Sequence, residues 1–422
     1  VHSVFGWQDG DKAYAVMVDN EEATDVDIVD ITNPRKPELI AEHDLADKFP
    51  QIVEDDPGLT EVFLHDMIVK EIGGTQVMLL SYWDGGYVLL DVEDPANPVY
   101  LGDSDFGTED SLLADGKDVP PEGNAHQAEF TLDNKFVIAA DEDFSPFALT
   151  AQNVTKGTEL SASPGSDTKP LAVGEEIAGQ AVFAGRACDG DDIEAAPDNV
   201  AHPIAVVERG LCDFTQKVTN VVAAGGYEAI LIFNRTAADG CESSLGMTVA
   251  GDLPTFGVAP RSQGYAIFGE DYDLDECLAG DGSQLSPMTL GTLGDSLTFS
   301  SYFDGWGFVR LLDPNDEMKE IGAYAIDESR DSEFADGFGD LSVHEVATSL
   351  QDPGLAYLSY YAGGLRVIEV NATTGITEVA AFIDEGGNNF WGIEAFERDG
   401  VEYVAASDRD KGLYIFQYTP EP

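Results

Sequence analysis

The chain has 422 residues, 43% of them hydrophobic, which is enough for a buried core and for more than one domain. Eighty acidic and 21 basic residues give a net charge of -59, which argues against nucleic acid and anionic membrane surfaces as partners because like charges repel. Such a charge also weakens a compact fold unless cations screen it, so the composition favours a marine or halophilic setting or bound divalent cations. Solubility alone is the competing explanation.

Short apolar segments recur along the chain in groups of four, separated by turns that contain Gly, Pro or Asn-Pro. Such runs, bounded by turn residues, predict β-strands. The first strands of the groups open at His2, His65, His126, His344 and Trp391. Four antiparallel strands repeated in this way, each group too small to bury its own faces, predict the blades of a β-propeller. The count gives five blades, the last without a recognisable fourth strand, and a six-bladed ring is the alternative.

Residues 149–295 interrupt the repeat. Here Phe214 to Ala224 predict an amphipathic helix that ends at Gly225-Gly226, and the wholly apolar strand AILIF follows it. The segment SLTFSSYF at 296–303 is either the exit strand of this segment or a blade strand. The predicted organisation is a first propeller part at 1–148, an inserted domain at 149–295 and a second propeller part at 296–422.

All four cysteines lie in the inserted segment, at Cys188, Cys212, Cys241 and Cys277. An even number confined to one module predicts two disulfides and an oxidising compartment, whereas zinc is the competing interpretation and lacks a C-x-x-C pair. Proximity along the chain favours Cys188–Cys212 and Cys241–Cys277. No apolar run approaches the ~20 residues that span a bilayer. We therefore expect an extracellular or surface-anchored protein with no membrane span in this chain.

Two resemblances to known families add to this interpretation. The segments VDIVDITNPRKP (26–37) and VLLDVEDPANPV (88–99) resemble the LVIVD repeats of bacterial and archaeal surface proteins, and FGWQDGDKAYAVMVD (5–19) resembles the opening of the choice-of-anchor subset. The inserted segment resembles the protease-associated (PA) domain through ERGLCDF, KV, AAGGYEAILIFN and LPTFGV, in that order. Together they imply a mainly β fold: a surface-exported propeller with an inserted α/β domain that binds peptide or protein, or covers a neighbouring site.

Histidine placement is the most distinctive pattern for chemistry. Four of the six histidines open successive blades, at His2, His65, His126 and His344. Equivalent positions in a propeller surround its axis, so four imidazoles are expected to converge as an axial ring. Neutral imidazole is a common ligand of Fe, Cu and Zn, and the adjacent Asp66 and Glu345 are placed to orient the rings. The structural alternative is that each histidine bonds a turn aspartate of its own blade, with Asp84 and Asp304 as candidate partners.

Acidic loops provide a second, weaker pattern, at residues 19–27, 141–144 and 408–410. Carboxylate oxygens suit Ca²⁺, but none of these loops has the EF-hand spacing. Calcium is therefore an expectation for the protein and not for a particular loop.

Motifs of nucleophilic catalysis, of zincin metallopeptidases and of phosphate-binding loops are missing from the sequence. We therefore expect a binding protein that recognises extracellular protein, peptide or glycan, or that assembles at the cell surface. One alternative is a metalloenzyme with its metal in the histidine ring and the inserted domain as a lid. The other is a subunit of an extracellular filament.

Overall fold

A computed structural model describes residues 2–18, 25–54, 59, 62–106, 123–143, 145–165, 167–169, 171–172, 174–237, 240–243, 245 and 247–420. The chain divides into two compact units. The propeller unit comprises Val1–Pro146 and Asp304–Pro422, and the inserted unit is Phe147–Phe303. The predicted insert, 149–295, is shorter at both ends, because the strands that enter and leave the insert pair with each other and extend to these limits.

In the residues that the structure describes, the propeller unit forms five antiparallel sheets, one for each blade. Strands are numbered in chain order through both units, so the numbers from 11 to 20 fall in the inserted unit, whose strands are given below. Blade 1 is β1 (Val4–Asp9), β2 (Lys12–Val18), β3 (Asp25–Asp30) and β4 (Glu38–Asp44). Blade 2 is β5 (Asp66–Ile72), β6 (Thr75–Ser81), β7 (Tyr87–Asp91) and β8 (Val99–Asp103).

Blade 3 is built from chain segments on both sides of the insert: β9 (Ala125–Phe130), β10 (Val137–Asp141), β21 (Val309–Asp313) and β22 (Lys319–Tyr324). Blade 4 is β23 (Glu345–Thr348), β24 (Leu355–Ser359), β25 (Leu365–Asn371) and β26 (Gly375–Phe382). Blade 5 has three strands, β27 (Phe390–Arg398), β28 (Val401–Asp408) and β29 (Gly412–Phe416). The prediction of a five-bladed propeller is confirmed, and the six-bladed alternative is wrong.

The blades are held together by apolar clusters between neighbouring sheets. In β6, Met78 and Leu80 pack in the cluster shared with blade 1, whereas Val77 and Leu79 pack in the cluster shared with blade 3. Side chains alternate between the two faces of a strand, so a middle strand covered on both faces must be apolar throughout. Corresponding clusters join blade 3 to blade 4 and blade 4 to blade 5.

Helical structure is sparse in the propeller unit. Helix α1 (Leu45–Lys48) follows blade 1, and the carboxylate of Asp44 caps it by accepting a hydrogen bond from the backbone N–H of Asp47. Single 3₁₀ turns lie at Pro50–Ile52, Asp327–Arg330 and Ser332–Phe334.

The inserted unit is an α/β domain. Its main sheet has the order β12-β11-β20-β15-β16-β17-β19-β13, with parallel pairing from β15 through β19. The strands are β11 (Phe147–Asn153), β12 (Thr158–Glu159), β13 (Ala162–Pro164), β14 (Asp167–Thr168), β15 (Glu176–Phe183), β16 (Pro203–Glu208), β17 (Ala229–Phe233), β18 (Ala250–Gly251), β19 (Thr255–Val258) and β20 (Leu293–Phe303). The helices are α2 (Phe214–Ala224), α3 (Arg261–Phe268) and α4 (Leu274–Leu278).

The predicted helix and apolar strand of the insert are confirmed as α2 and β17. Asp213 caps α2 by accepting a hydrogen bond from the backbone N–H of Gln216, at 2.7 Å. Gly225 ends the helix with a φ of 86°, which a residue with a side chain rarely adopts. Strand β20 pairs with β11 and β15, so the segment at 296–303 is the exit strand of the insert.

Two disulfides cross-link the inserted unit, Cys188–Cys212 and Cys241–Cys277, as predicted. Structural disulfides persist in oxidising compartments, so they suggest an extracellular environment. Within the described part of the chain, no helix has the length and apolar character that a membrane crossing requires.

Candidate functional site

The four blade-opening histidines lie in one continuous row, which we call the histidine row. Ring centroids are 4.5 Å apart between His2 and His65, 4.2 Å between His65 and His126, and 4.3 Å between His126 and His344. Trp391 of blade 5 continues the row at 5.0 Å from His344. Burial increases along the row: His2 is exposed, His65 is half-buried, and His126 and His344 are buried.

The first strands of consecutive blades contact one another, and this packing places the rings side by side. His65 and His344 occupy equivalent positions directly before β5 and β23. In each case the backbone N–H donates to the carbonyl of the serine that ends the second strand, Ser81 or Ser359, at 2.9 Å. The row therefore follows from the repeat itself, because the equivalent position of each blade lies against that of the next blade.

The imidazoles of His65 and His344 also bond to the backbone of the next blade. Nδ1 of His65 lies 3.1 Å from the carbonyl oxygen of His126, and Nδ1 of His344 lies 3.0 Å from that of Trp391. A carbonyl only accepts, so Nδ1 must carry the proton and the lone pair of a neutral ring is on Nε2. His126 interacts with the backbone of His344 in a similar way, and this interaction raises the pKa of His126. However, Nδ1 of His126 does not reach the geometry of a hydrogen bond.

Polar side chains further along the first strands satisfy open backbone edges of the next blade. Gln127 accepts from the N–H of Val346 at 2.9 Å, and Glu129 accepts from the N–H of Thr348 at 2.9 Å. Edge N–H groups that lack a partner strand need such acceptors. Part of the polar pattern on these strands is therefore structural.

The two residues expected to orient the rings have different surroundings. Glu345 accepts from the N–H of Ile393 at 3.0 Å, and its carboxylate is 3.8 Å from Nδ1 of His344. Asp66 interacts with the side chain of Ser3, and burial raises the pKa of Asp66 to about 6. Asp84 and Asp304, the candidate partners in the structural alternative, are both buried.

A buried carboxylate joins the inner end of the row. Glu142 lies just after β10, with one carboxylate oxygen 3.2 Å from Nε2 of His126 and the other 3.7 Å from Nε2 of His344. The phenol of Tyr361 donates a hydrogen bond to the same carboxylate. One ligating atom from each of His126, Glu142 and His344 lies within 4.8 Å of the other two. We call these three residues the hub cluster.

Glu142 lies in the acidic segment 141–144, one of the loops considered for calcium, and a comparison of the repeats singles it out for another reason. Ser81, Ala140 and Ser359 pair with the residues that follow His65, His126 and His344, so Glu142, two positions after Ala140, corresponds to Trp83 and Tyr361. A carboxylate in blade 3 thus replaces an aromatic residue of its neighbours. This departure from the repeat, beside the most buried histidines, marks the position.

Burial sets the protonation of the hub cluster and of the neighbouring His65. It lowers the pKa of His65 to about 4 and that of His344 to about 3, and together with the neighbouring imidazoles it holds the pKa of His126 well below its ordinary value. Burial also raises the pKa of Glu142 to about 7. The imidazoles are therefore neutral at pH 7, and Nε2 of His126 and Nε2 of His344 face the carboxylate of Glu142. Two imidazoles and a carboxylate are ligands for a divalent transition metal.

The acidic loops considered for calcium are only partly described by the structure, and two of their carboxylates have partners within the protein. Residues 19–24 of the first loop and Phe144 of the second lie outside the described residues. Asp141 pairs with the guanidinium of Arg310, and Asp408 accepts from the side chain of Asn388 and the backbone N–H of Lys411. These carboxylates bond within the protein, and calcium stays a prediction.

The inserted unit contains a separate open cleft of about 560 Å³. Its lining combines apolar side chains with carboxylates and one lysine: Lys169, Leu171, Glu175, Glu176, Ile177, Tyr227, Glu228, Asp252, Leu253 and Pro254. Four carboxylates against one ammonium group make the cleft acidic. An apolar wall with a few charged groups is typical of a ligand site.

Residues 168–267 match the PA domain family, which confirms that resemblance for the inserted unit. Similar solved structures include a zinc aminopeptidase from Bacillus subtilis, with 16% identity and a TM-score of 0.26 over 43% of this chain and 37% of that one. The subtilisin-like protease Apa1 from the Antarctic psychrotroph Pseudoalteromonas sp. AS-11 has 16% identity and a TM-score of 0.26, covering 41% of this chain and 37% of its own.

The β-propeller domain of Myceliophteria thermophila Cps50 (Swd1) is similar over 99% of this chain and 83% of that one, with 10% identity and a TM-score of 0.29. Thus the chain spans little more than a third of the two peptidases, and TM-scores this low say nothing about what it does. No curated protein matches the chain. The LVIVD and choice-of-anchor resemblance stays a prediction. A PA domain inserted in a propeller is consistent with a protein-interaction role.

Proposed function

We propose that the chain is an extracellular or cell-surface binding protein whose inserted domain holds a peptide segment of a partner protein. The observation that carries this proposal is the acidic, apolar-walled cleft of the inserted unit. The two disulfides support an extracellular site of action.

The lining of the cleft favours one ligand chemistry. Leu171, Ile177 and Leu253 offer apolar contact area, and Glu176 and Asp252 offer acceptors for a cation. A peptide with a lysine or arginine beside an apolar residue satisfies both sets of groups. An arginine side chain can bond a carboxylate through two N–H groups, which adds geometric selectivity.

A random peptide library displayed against the full chain tests the proposal. We expect enrichment of sequences that place Lys or Arg next to an apolar residue. An enriched peptide should bind Glu176→Lys/Asp252→Lys at least about tenfold more weakly, measured by fluorescence anisotropy at fixed ionic strength, because the variant puts two cations where the peptide needs acceptors.

The matched control is Glu369→Lys, a charge reversal at an exposed position of the propeller unit. It should leave the affinity unchanged. Enrichment of acidic or motif-free peptides, or equal binding by the cleft variant and the wild type, would overturn the proposal. A glycan array on the same protein tests the other ligand class, and glycan binding without peptide binding would also contradict it.

A further inference from the structure

We propose that the hub cluster binds one divalent transition metal ion through Nε2 of His126, Nε2 of His344 and the carboxylate of Glu142. The ion class follows from the donor set. Imidazole nitrogen is a ligand of Zn²⁺ and its first-row neighbours, whereas Ca²⁺ and Mg²⁺ prefer oxygen throughout. Two imidazoles and one carboxylate, with room for a fourth ligand, suit Zn²⁺ best.

The spacing of the three groups agrees with such an ion. Zinc bonds of ~2.0–2.2 Å in a tetrahedron place neighbouring ligand atoms roughly 3.3–3.5 Å apart. The carboxylate of Glu142 lies 3.2 Å from Nε2 of His126 and 3.7 Å from Nε2 of His344. All three ligating atoms fall within 4.8 Å of one another, so small side-chain rotations complete the site.

Contacts behind the ligands hold them in the required state. Nδ1 of His344 is committed to the carbonyl of Trp391 at 3.0 Å, which directs its lone pair through Nε2 to Glu142. The buried phenol of Tyr361 donates to the carboxylate of Glu142 and orients it. Outer partners of this kind, a carbonyl behind the histidine and a donor on the carboxylate, accompany protein metal sites.

The location of the ligands gives the ion a structural consequence. His126 and Glu142 belong to the chain segment before the insert, and His344 belongs to the segment after it. They come from blades 3 and 4, so an ion bound to all three would cross-link the two blades. Metal binding to the folded form alone stabilises that form. The proposal is independent of peptide binding by the inserted unit.

Titration of the metal-stripped full chain with Zn²⁺ alone, by calorimetry and by thermal unfolding, tests the site. We expect one ion per propeller and a rise in melting temperature. Glu142→Gln and His344→Ala should bind at least about 100-fold more weakly, and Tyr361→Phe roughly 10–100-fold more weakly. Glu142→Gln preserves the shape of the side chain and an acceptor for Tyr361, so loss of folding is not expected. Co²⁺ in place of Zn²⁺ should give intense visible absorption in the wild type but not in Glu142→Gln or His344→Ala.

Two controls separate this ligand set from other sources of binding. His202→Ala removes the exposed imidazole that pairs with Glu228 at 2.9 Å in the inserted unit, and it should bind like the wild type. His65→Ala removes a member of the histidine row outside the hub cluster and should also retain the ion. Failure of the wild type to bind Zn²⁺ would overturn the proposal. So would loss of binding in His65→Ala combined with retention in Glu142→Gln.

Discussion

Two buried carboxylates, one in each unit, are stabilised in different ways. Glu208 in the inserted unit is fully buried, pairs with the guanidinium of Arg261 and accepts from the N–H of Ser286 at 3.0 Å. Glu142 in the propeller unit is almost as buried, but its carboxylate contacts the imidazoles of the hub cluster and the phenol of Tyr361. The first carboxylate has a permanent positive partner in direct contact, whereas the groups named here around the second are neutral, and the charges of Asp340 and Arg409 act on it with opposite signs.

The comparison shows that a buried carboxylate can be neutralised by a residue of the protein itself or can be left as a position where a ligand could neutralise it. A buried charge is tolerated when an opposite charge and hydrogen bonds accompany it. The inserted unit meets this condition with its own residues, and its ion pair needs nothing further. The hub cluster would meet it if Glu142 kept its proton, which its raised pKa favours, or if the proposed metal ion lay between the carboxylate and the imidazoles.

The largest effect is expected from removing the positive partner of Glu208. Arg261→Met leaves the carboxylate buried and unpaired, which should lower the free energy of unfolding of the inserted unit by about 3–5 kcal/mol. All four tryptophans, Trp7, Trp83, Trp306 and Trp391, lie in the propeller unit. Hydrogen exchange of the inserted unit should therefore show the loss while the tryptophan fluorescence transition stays in place. Arg261→Met/Glu208→Leu should recover part of it, and equal losses in the two variants would contradict this explanation.

A smaller effect is expected from removing one disulfide. Both disulfides lie in the inserted unit, which holds every cysteine of the chain. Cys188→Ala/Cys212→Ala should cost the inserted unit about 2–4 kcal/mol, because the unfolded chain gains freedom. Urea unfolding followed by circular dichroism and by tryptophan fluorescence should then separate into two transitions. If both probes shifted together, the two units would not unfold independently.

The smallest effect concerns a carboxylate of the propeller unit whose hydrogen-bond donors are neutral. The pKa of Glu129 is raised from 4.5 to about 7, mainly by burial and also by the charge of Glu394, against the opposing effects of the donors of Thr348 and the charge of Lys70. A raised pKa means that the folded state holds the proton more tightly, so this contribution is complete below pH 4.5 and is lost as the pH rises to 7. Because Glu129 is partly exposed, the loss should be of the order of 1 kcal/mol.

Glu129→Gln should remove that pH dependence from the propeller unit. The measurement is the urea midpoint by tryptophan fluorescence at pH 4.5 and at pH 7, in wild type and variant. The wild type should lose more stability over this interval. Parallel losses in the two proteins would show that Glu129 does not titrate in this range.

The sequence predicted the blade strands and the insert well, because their signals are local. Strand β6 has four consecutive apolar residues, Val77–Leu80, and is bounded by turns, and helix α2 has a capping aspartate and a terminal glycine pair. The disulfide Cys188–Cys212 followed from proximity along the chain. By contrast, Glu142 as a partner of His126 could not be inferred from local pattern, since its role depends on how blades 3 and 4 pack.

The amino-acid sequence alone determined that strands repeat, that an α/β domain interrupts them and that histidines open successive blades, because periodicity, turn residues and spacing act over a few neighbouring residues. Only the tertiary structure decided that the imidazoles form a row with graded burial, that Glu142 contacts the two buried ones and that Tyr361 donates to Glu142. These contacts join residues far apart in the chain, such as the carboxylate of Glu142 and Nε2 of His344 at 3.7 Å. Packing between blades sets such distances, and no single segment of the sequence contains them.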